Sequence, residues 1–197
     1  TGCNQDGHTD GITVPNPTAQ QALIRKVSDK ASVALKDIAY FEAHGTGTAV
    51  GDPIEMSAIG GTVGQARAAD ETCLVGSVKG NIGHLEAASG IAAVIKSALC
   101  LQHELIPPQA NLINLNPKIP FAKLQLRVPR QIEKLQPING KPLYAGINSF
   151  GYGGTNACAL LQNYIPALDG QTPVADITAQ KTYLLPLSAK SKNALKT

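Results

Sequence analysis

Three observations predict a layered α/β fold for this 197-residue chain. Short apolar runs recur, each followed by a Gly-rich loop holding polar residues and then by a helical pattern or a returning strand. Strands that alternate with helices in this way build layered α/β domains. Hydrophobic residues make up 43% of the chain, enough for a packed core and too many for a disordered segment. No run approaches 18 apolar residues, so no membrane-spanning helix is expected.

Residues 1–16 read as a polar, Gly-rich loop that ends in Val14-Pro15-Asn16-Pro17. Asn16 can cap a helix whose first turn holds Pro17. Ala19, Leu23, Val27, Ala31, Ala34 and Leu35 recur at helical spacing, which predicts an amphipathic helix over 18–35. Residues 38–43 form an apolar run, read as a strand, that meets His44-Gly45-Thr46-Gly47-Thr48. Asp52-Pro53 opens a second helix over about 53–66. Residues 73–78 read as a buried strand leading into Lys79-Gly80-Asn81-Ile82-Gly83-His84. From Leu85 to Leu101 the chain is apolar or small on almost every side, which predicts a helix buried all round at the centre of a layered domain. Pro107-Pro108 follows it, and 109–142 is loop-rich with a short strand at 124–128. Residues 143–148 and 157–163 read as a strand pair around a Gly-rich turn. From Pro166 to Gln180 the composition is that of a linker.

Composition excludes several functions. The net charge is +3 with scattered basic residues, and aromatic residues are 4%, which gives neither an electrostatic footprint nor stacking platforms for nucleic acid. Cys3, Cys73, Cys100 and Cys158 are widely spaced, with no CxxC and no metal-ligand pattern. Reduced thiols in a cytoplasmic protein fit that usage. The Gly45-x-Gly47-x-x-x-Gly51 spacing is wrong for a dinucleotide loop, no acidic residue follows at the ribose-binding distance, and no Walker sequence is present.

Three loops at strand ends carry groups suited to chemistry, and such loops are where α/β folds place their sites. In the first, His44 is able to serve as a neutral donor or a general acid–base, and Thr46 and Thr48 present two hydroxyls on one side of an extended backbone. His44 as a merely structural, backbone-bonded residue fits equally well. In the second, His84 precedes a very apolar helix whose N-terminus disfavours an imidazolium, which suits a neutral donor to a developing oxyanion. Lys79 is placed to orient it; a structural Lys79–Glu86 pair with His84 as a helix cap is the alternative. The third, Asn148 to Asn156, sets Phe150, Gly151, Tyr152 and Gly153 in a turn with bulky gates, or forms a simple bulged hairpin.

The sequences Glu42-Ala43-His44-Gly45-Thr46-Gly47-Thr48, Gly51-Asp52-Pro53-Ile54-Glu55, Gly76-Ser77-Val78-Lys79-Gly80-Asn81-Ile82-Gly83-His84-Leu85-Glu86 and 148–156 occur in order. Together they closely resemble the C-terminal half of a β-ketoacyl synthase domain of type I polyketide synthases, from Thr1 to about Leu161. The resemblance implies a thiolase-like layered αβαβα fold, a homodimer and a Cys-His-His site performing decarboxylative condensation of an acyl thioester with a malonyl-type extender on acyl carrier protein. It implies that His44 and His84 polarise the extender carbonyl and that Lys79 orients His84. It implies that Thr46, Thr48 and Asn81 contact a phosphopantetheine-borne substrate, and that Phe150, Gly151, Tyr152 and Gly153 line and gate the pocket. No metal and no directly bound cofactor are implied.

The family's nucleophile stands in a Cys-Ser-Ser turn that is missing here. Cys3 reads as a loop residue, Cys73 as a strand residue, Cys100 as buried in a helix, and Cys158 takes a place where the family usually shows a non-catalytic His. With the chain starting at Thr1, residues 1–165 are therefore expected to be half a domain, cut from a longer polypeptide. The N-terminal half of the ketosynthase is then a partner, and 166–197 begins the linker toward an adjacent acyltransferase domain. A non-elongating or chain-length-type homologue, binding acyl chains or dimerising, is the alternative function.

Overall fold

The computed structural model describes residues 1–11, 14–137, 141–165 and Ser191. The expected linker over 166–180 and the segment opening at Tyr183 lie outside the described residues. The compact unit runs from Thr1 to Tyr164.

Its strands are β1 (Gly2–Gln5), β2 (Ile38–Glu42), β3 (Cys73–Gly76), β4 (Leu105–Ile106), β5 (Leu126–Arg127), β6 (Glu133–Lys134), β7 (Tyr144–Phe150) and β8 (Thr155–Gln162). Its helices are α1 (Pro17–Lys30), α2 (Gly51–Ile59), α3 (Lys79–Ile82) and α4 (Ser89–His103). Six strands form one sheet in the order β1-β8-β7-β2-β3-β5, and β4 pairs with β6 apart from it. β7, β2, β3 and β5 run parallel, whereas β1, β8 and β7 form an antiparallel edge.

The two faces of the sheet carry separate cores. On one, Leu23, Ile24 and Val27 of α1 and Met56 and Ile59 of α2 pack on Phe41 and Val75. On the other, Cys100 and Leu101 of α4 pack on Tyr40, Leu74 and Ala145. A register shift between Ile38 and Tyr40 interrupts the alternation of β2. Ile38 therefore joins the α1 side while Tyr40, of the same parity, joins the α4 side.

Several boundaries differ from the sequence reading. The Asn16 side chain accepts from the N–H groups of Thr18 (3.0 Å) and Ala19 (3.2 Å), as its cap role requires. α1 nevertheless ends at Lys30, because Ser32 turns left-handed (φ 54°) and the Ser28 hydroxyl takes the Val33 carbonyl. β1 replaces part of the expected N-terminal loop; Gly2-Cys3-Asn4-Gln5 has no strand pattern of its own and is drawn into the sheet by β8. Cys3 is thus a strand residue. α2 continues into a π-helical turn, Gly60–Gly64. α4 begins at Ser89 rather than Leu85 and is not buried all round. Ala93, Ser97, Cys100 and Leu101 face the sheet, while Ile91, Ile95 and Leu99 are 49–59% exposed. A single sheet covers one side of this helix, and on the other Ile95 and Leu99 line an open apolar groove with Ile82, Leu105 and Ile132. Among the described residues no helix is long and apolar enough to cross a membrane.

Candidate active site

β2 delivers His44 at its C-terminal end. The buried carboxylate of Glu55, on α2, accepts the N–H groups of His44 (2.8 Å) and Gly45 (2.9 Å) and the side-chain amide of Asn148 (3.1 Å). Burial pushes the Glu55 carboxyl up to about 7 against these three donors. Gly45 has φ +50°, and a Cβ there would lie 2.7 Å from the Cβ of Ser77, so only glycine lets the first loop pass this close to the second. The loop closes on itself through Gly47 N–H to Asp52 (3.0 Å) and Gly51 N–H to the Thr48 hydroxyl (3.0 Å). The hydroxyls of Thr46 and Thr48 lie 3.4 Å apart, on one side of the backbone.

The second loop leaves β3 through Ser77 and Val78 and forms the single turn α3 before reaching His84. His84 Nδ1 accepts the Glu86 N–H at 3.0 Å, and the Ser89 hydroxyl lies 2.9 Å from the same nitrogen. Glu86 reaches back by adopting φ 52°, a left-handed conformation that costs a non-glycine residue about 1 kcal/mol. His84 is therefore held by its own turn, five residues before α4 starts. The alternative Lys79–Glu86 pair does not form among the described residues.

The third loop completes the arrangement. The Phe150 N–H donates to His44 Nδ1 at 3.3 Å. The rings of His44 and His84 meet edge to face with centroids 5.4 Å apart, and the Phe150 ring lies 5.5 Å from His44. A backbone N–H only donates, so Nδ1 of each histidine is unprotonated and its neutral ring carries the proton on Nε2. The His44 pKa is lowered to about 4, first by burial, then by the charge of Lys79 and, once its ring is protonated, by His84. Two neutral Nε2–H donors beside one cavity are suited to stabilising a single developing oxyanion.

That cavity, of about 850 Å3, is lined by His44, His84, Thr46, Thr48, Glu55, Phe150, Gly151 and Tyr152, joined by Val14, Pro15, Gln20 and Asn156. The three loops thus converge. A second cavity of about 390 Å3 adjoins it through Thr46 and His84, and Lys79 lines this one. Lys79 makes no ion pair among the described residues. Its pKa is lowered by burial, with the charges of Glu55 and Glu42 opposing. Asn81 and Gly153 line neither cavity: Asn81 is exposed on α3, and Gly153 stands clear at the tip of the third loop. No thiol lines either cavity, and burial pushes Cys73 up to about 11 and Cys158 up to about 12. Sequence reasoning placed Glu55 and Asn148 in motifs without giving either a role, and passed over Gln20 and Ser89. An acid among Met56, Ala58 and Ile59 on the inward face of α2 was the available signal for Glu55. Gln20 is fully buried, and neither polar atom of its amide has a partner among the described residues.

A family model for the β-ketoacyl synthase C-terminal domain matches residues 1–113, and one for the ketoacyl-synthetase C-terminal extension matches 116–197. The chain is 46% identical to a hybrid PKS-NRPS synthetase of Aspergillus niger, over 98% of this chain and 5% of that protein. It is 50% identical to a partially reducing polyketide synthase of Talaromyces stipitatus, over 83% of this chain and 6% of that one. Among solved structures, the ketosynthase from module 6 of the bacillaene synthase of Bacillus subtilis aligns with TM-score 0.78 and 40% identity, over 84% of this chain and 30% of that one. An oxazolomycin ketosynthase domain of Streptomyces albus aligns with TM-score 0.79 and 35% identity, over 98% and 33%. The chain thus spans about a third of the solved domains it matches and under a tenth of the curated relatives named here.

Proposed function

The chain belongs to the β-ketoacyl synthase family and has its thiolase-like fold, and from that premise we propose that it is the histidine-bearing half of a polyketide ketosynthase domain. The reaction is decarboxylative Claisen condensation. An acyl chain is held as a thioester on a cysteine outside these residues; a malonyl-type extender on acyl carrier protein loses carbon dioxide, and its α-carbon attacks the acyl carbonyl and displaces the thiolate. When the extender loses carbon dioxide, negative charge develops on its thioester oxygen. His44 and His84 donate their Nε2–H groups to that oxygen. The observation that carries this role is that both Nδ1 atoms are taken by backbone N–H groups while the rings meet at 5.4 Å.

Thr46 and Thr48 would hold the phosphopantetheine arm, which supplies the substrate's thioester; paired neutral hydroxyls fit the amides of such an arm. Phe150, Gly151 and Tyr152 would line the entry. Lys79 would act through its charge, which together with burial keeps His44 neutral. The N-terminal half of the domain would cover the Ile91, Ile95 and Leu99 face of α4 and supply a partner for the Gln20 amide, which has none among the described residues. A cytoplasmic homodimer working with acyl carrier protein and an adjacent acyltransferase domain completes the proposal.

The test is acyl transfer followed by mass detection of acylated cysteine. The isolated chain takes no acyl group, and the complete domain takes one outside these residues. Stoichiometric acylation of Cys3, Cys73, Cys100 or Cys158 would contradict the proposal.

A further inference from the structure

The catalytic role proposed above uses His44, His84, Lys79 and the two threonines. It leaves unexplained a carboxylate that is fully buried beside them. Glu42 closes β2 with none of its surface exposed. The register shift in β2 turns Tyr40 and Glu42 toward α4, and there Glu42 meets three donors. Its Oε2 pairs with Lys96 Nζ of α4 at 2.8 Å and accepts the Tyr40 hydroxyl. Its Oε1 accepts the Val78 N–H at 2.5 Å. Lys96 also bonds the Tyr40 hydroxyl at 2.9 Å.

Val78 is the last residue before α3, so this bond fixes the stem of the loop that carries Lys79 and His84. A second clamp holds the preceding residue: Gln109 accepts the Ser77 N–H at 2.7 Å and donates to the Ser77 carbonyl at 3.0 Å. Both clamps meet at Gly76. A Cβ there would lie 2.9 Å from the Tyr40 hydroxyl, 3.2 Å from the Gln109 Oε1 and 3.5 Å from Lys96 Nζ. The backbone has thus been left bare where the polar groups approach it. A buried ion pair is weak evidence for stability, since apolar residues of similar volume often do as well. Its use here lies in what it holds. Beyond the stem, His84 is exposed and held by the Glu86 N–H of its own turn and by the Ser89 hydroxyl at the start of α4, so its placement depends on how the stem and α4 are anchored.

We propose that Glu42 is a positioning residue for condensation, a buried acceptor for the Val78 N–H that sets where the His84 loop leaves the sheet, with Lys96 and Tyr40 holding the carboxylate. This rests on the ketosynthase reading of the site. It places part of the control of His84 beneath the sheet, on α4.

The test uses the complete ketosynthase domain and measures acyl loading and condensation separately. Each Glu42 variant is paired with Lys96→Met so that no buried charge is left alone. Glu42→Ala with Lys96→Met lowers condensation on the order of 10²-fold, as a misplacement of about 1 Å does, while loading stays within about threefold. Glu42→Gln with Lys96→Met restores most of the rate, because the amide oxygen still accepts the Val78 N–H. Should the alanine variant fail to fold, Glu42→Met with Lys96→Met fills the volume without an acceptor and makes the same comparison. Loading and condensation falling together, or an unchanged rate in the variant without an acceptor, would overturn the inference. His84→Ala is the control: if it condenses at the unmodified rate, the ketosynthase reading fails, whereas a His84→Ala slowed by roughly 10²–10³-fold beside fully active Glu42 variants removes only this inference.

Discussion

His44 and His84 present the same chemical group by opposite means. His44 is half-buried, its N–H locked to a buried carboxylate from α2 and its ring to the third loop. His84 is exposed and held by a left-handed residue two positions on and a serine at the start of α4. The first is placed by tertiary structure, the second by its own turn. In both, a backbone N–H on Nδ1 fixes which nitrogen keeps the proton. The donor direction is therefore set before a substrate arrives, and preorganised donors gain most of their effect in that way.

The largest expected effect erases the comparison. In the complete domain, His44→Ala and His84→Ala should each lower condensation by roughly 10²–10³-fold, the usual cost of one oxyanion donor, while acyl loading survives. The second effect separates the two. Glu55→Ala leaves the buried Asn148 amide and the half-buried N–H groups of His44 and Gly45 without their acceptor, the buried one costing about 1–3 kcal/mol and the others less, so the unfolding midpoint should fall sharply. Ser89→Ala leaves the Glu86 N–H on His84 Nδ1 and should cost about 1 kcal/mol or less, with condensation reduced only a few-fold. Comparable midpoints for the two variants would show that the buried clamp is no stronger than the exposed one.

The smallest effect is in the pH dependence. The His44 pKa falls from 6.5 to about 4 on folding, so its contribution to stability is complete above pH 6.5 and is lost as pH falls through 4. Glu55 rises from 4.5 to about 7, so its contribution is present below 4.5 and lost as pH rises through 7. A titration of the His44 ring should give a midpoint near 4. A midpoint near 6.5 would mean that burial and the neighbouring charges do not act on His44 as described.

The same contrast explains what was legible in the sequence. Gly-rich loops after apolar runs marked all three site loops, because a chain that turns sharply beside a sheet needs those residues whatever surrounds it. The antiparallel pair β7 and β8 and the cap of α1 were legible for the same local reason. β1 was not, because its partner residues are 150 to 156 positions away and its own pattern carries no signal. α4 was read as buried on every side because its composition suits a helix with a layer on each side; this chain spans about a third of the solved domains it matches. The buried acids Glu42 and Glu55 are three-dimensional features. Their value lies in N–H groups that the sequence places 10 to 36 residues away.

The central claim is that both histidines are Nε2–H donors, fixed by backbone bonds at Nδ1. It is tested most directly by 15N spectroscopy of the complete domain carrying labelled histidine, at neutral pH. Nδ1 of both His44 and His84 should resonate as an unprotonated imidazole nitrogen, and each Nε2 should carry a slowly exchanging proton. A proton on Nδ1 of either ring, or rapid averaging between the two tautomers, would contradict it.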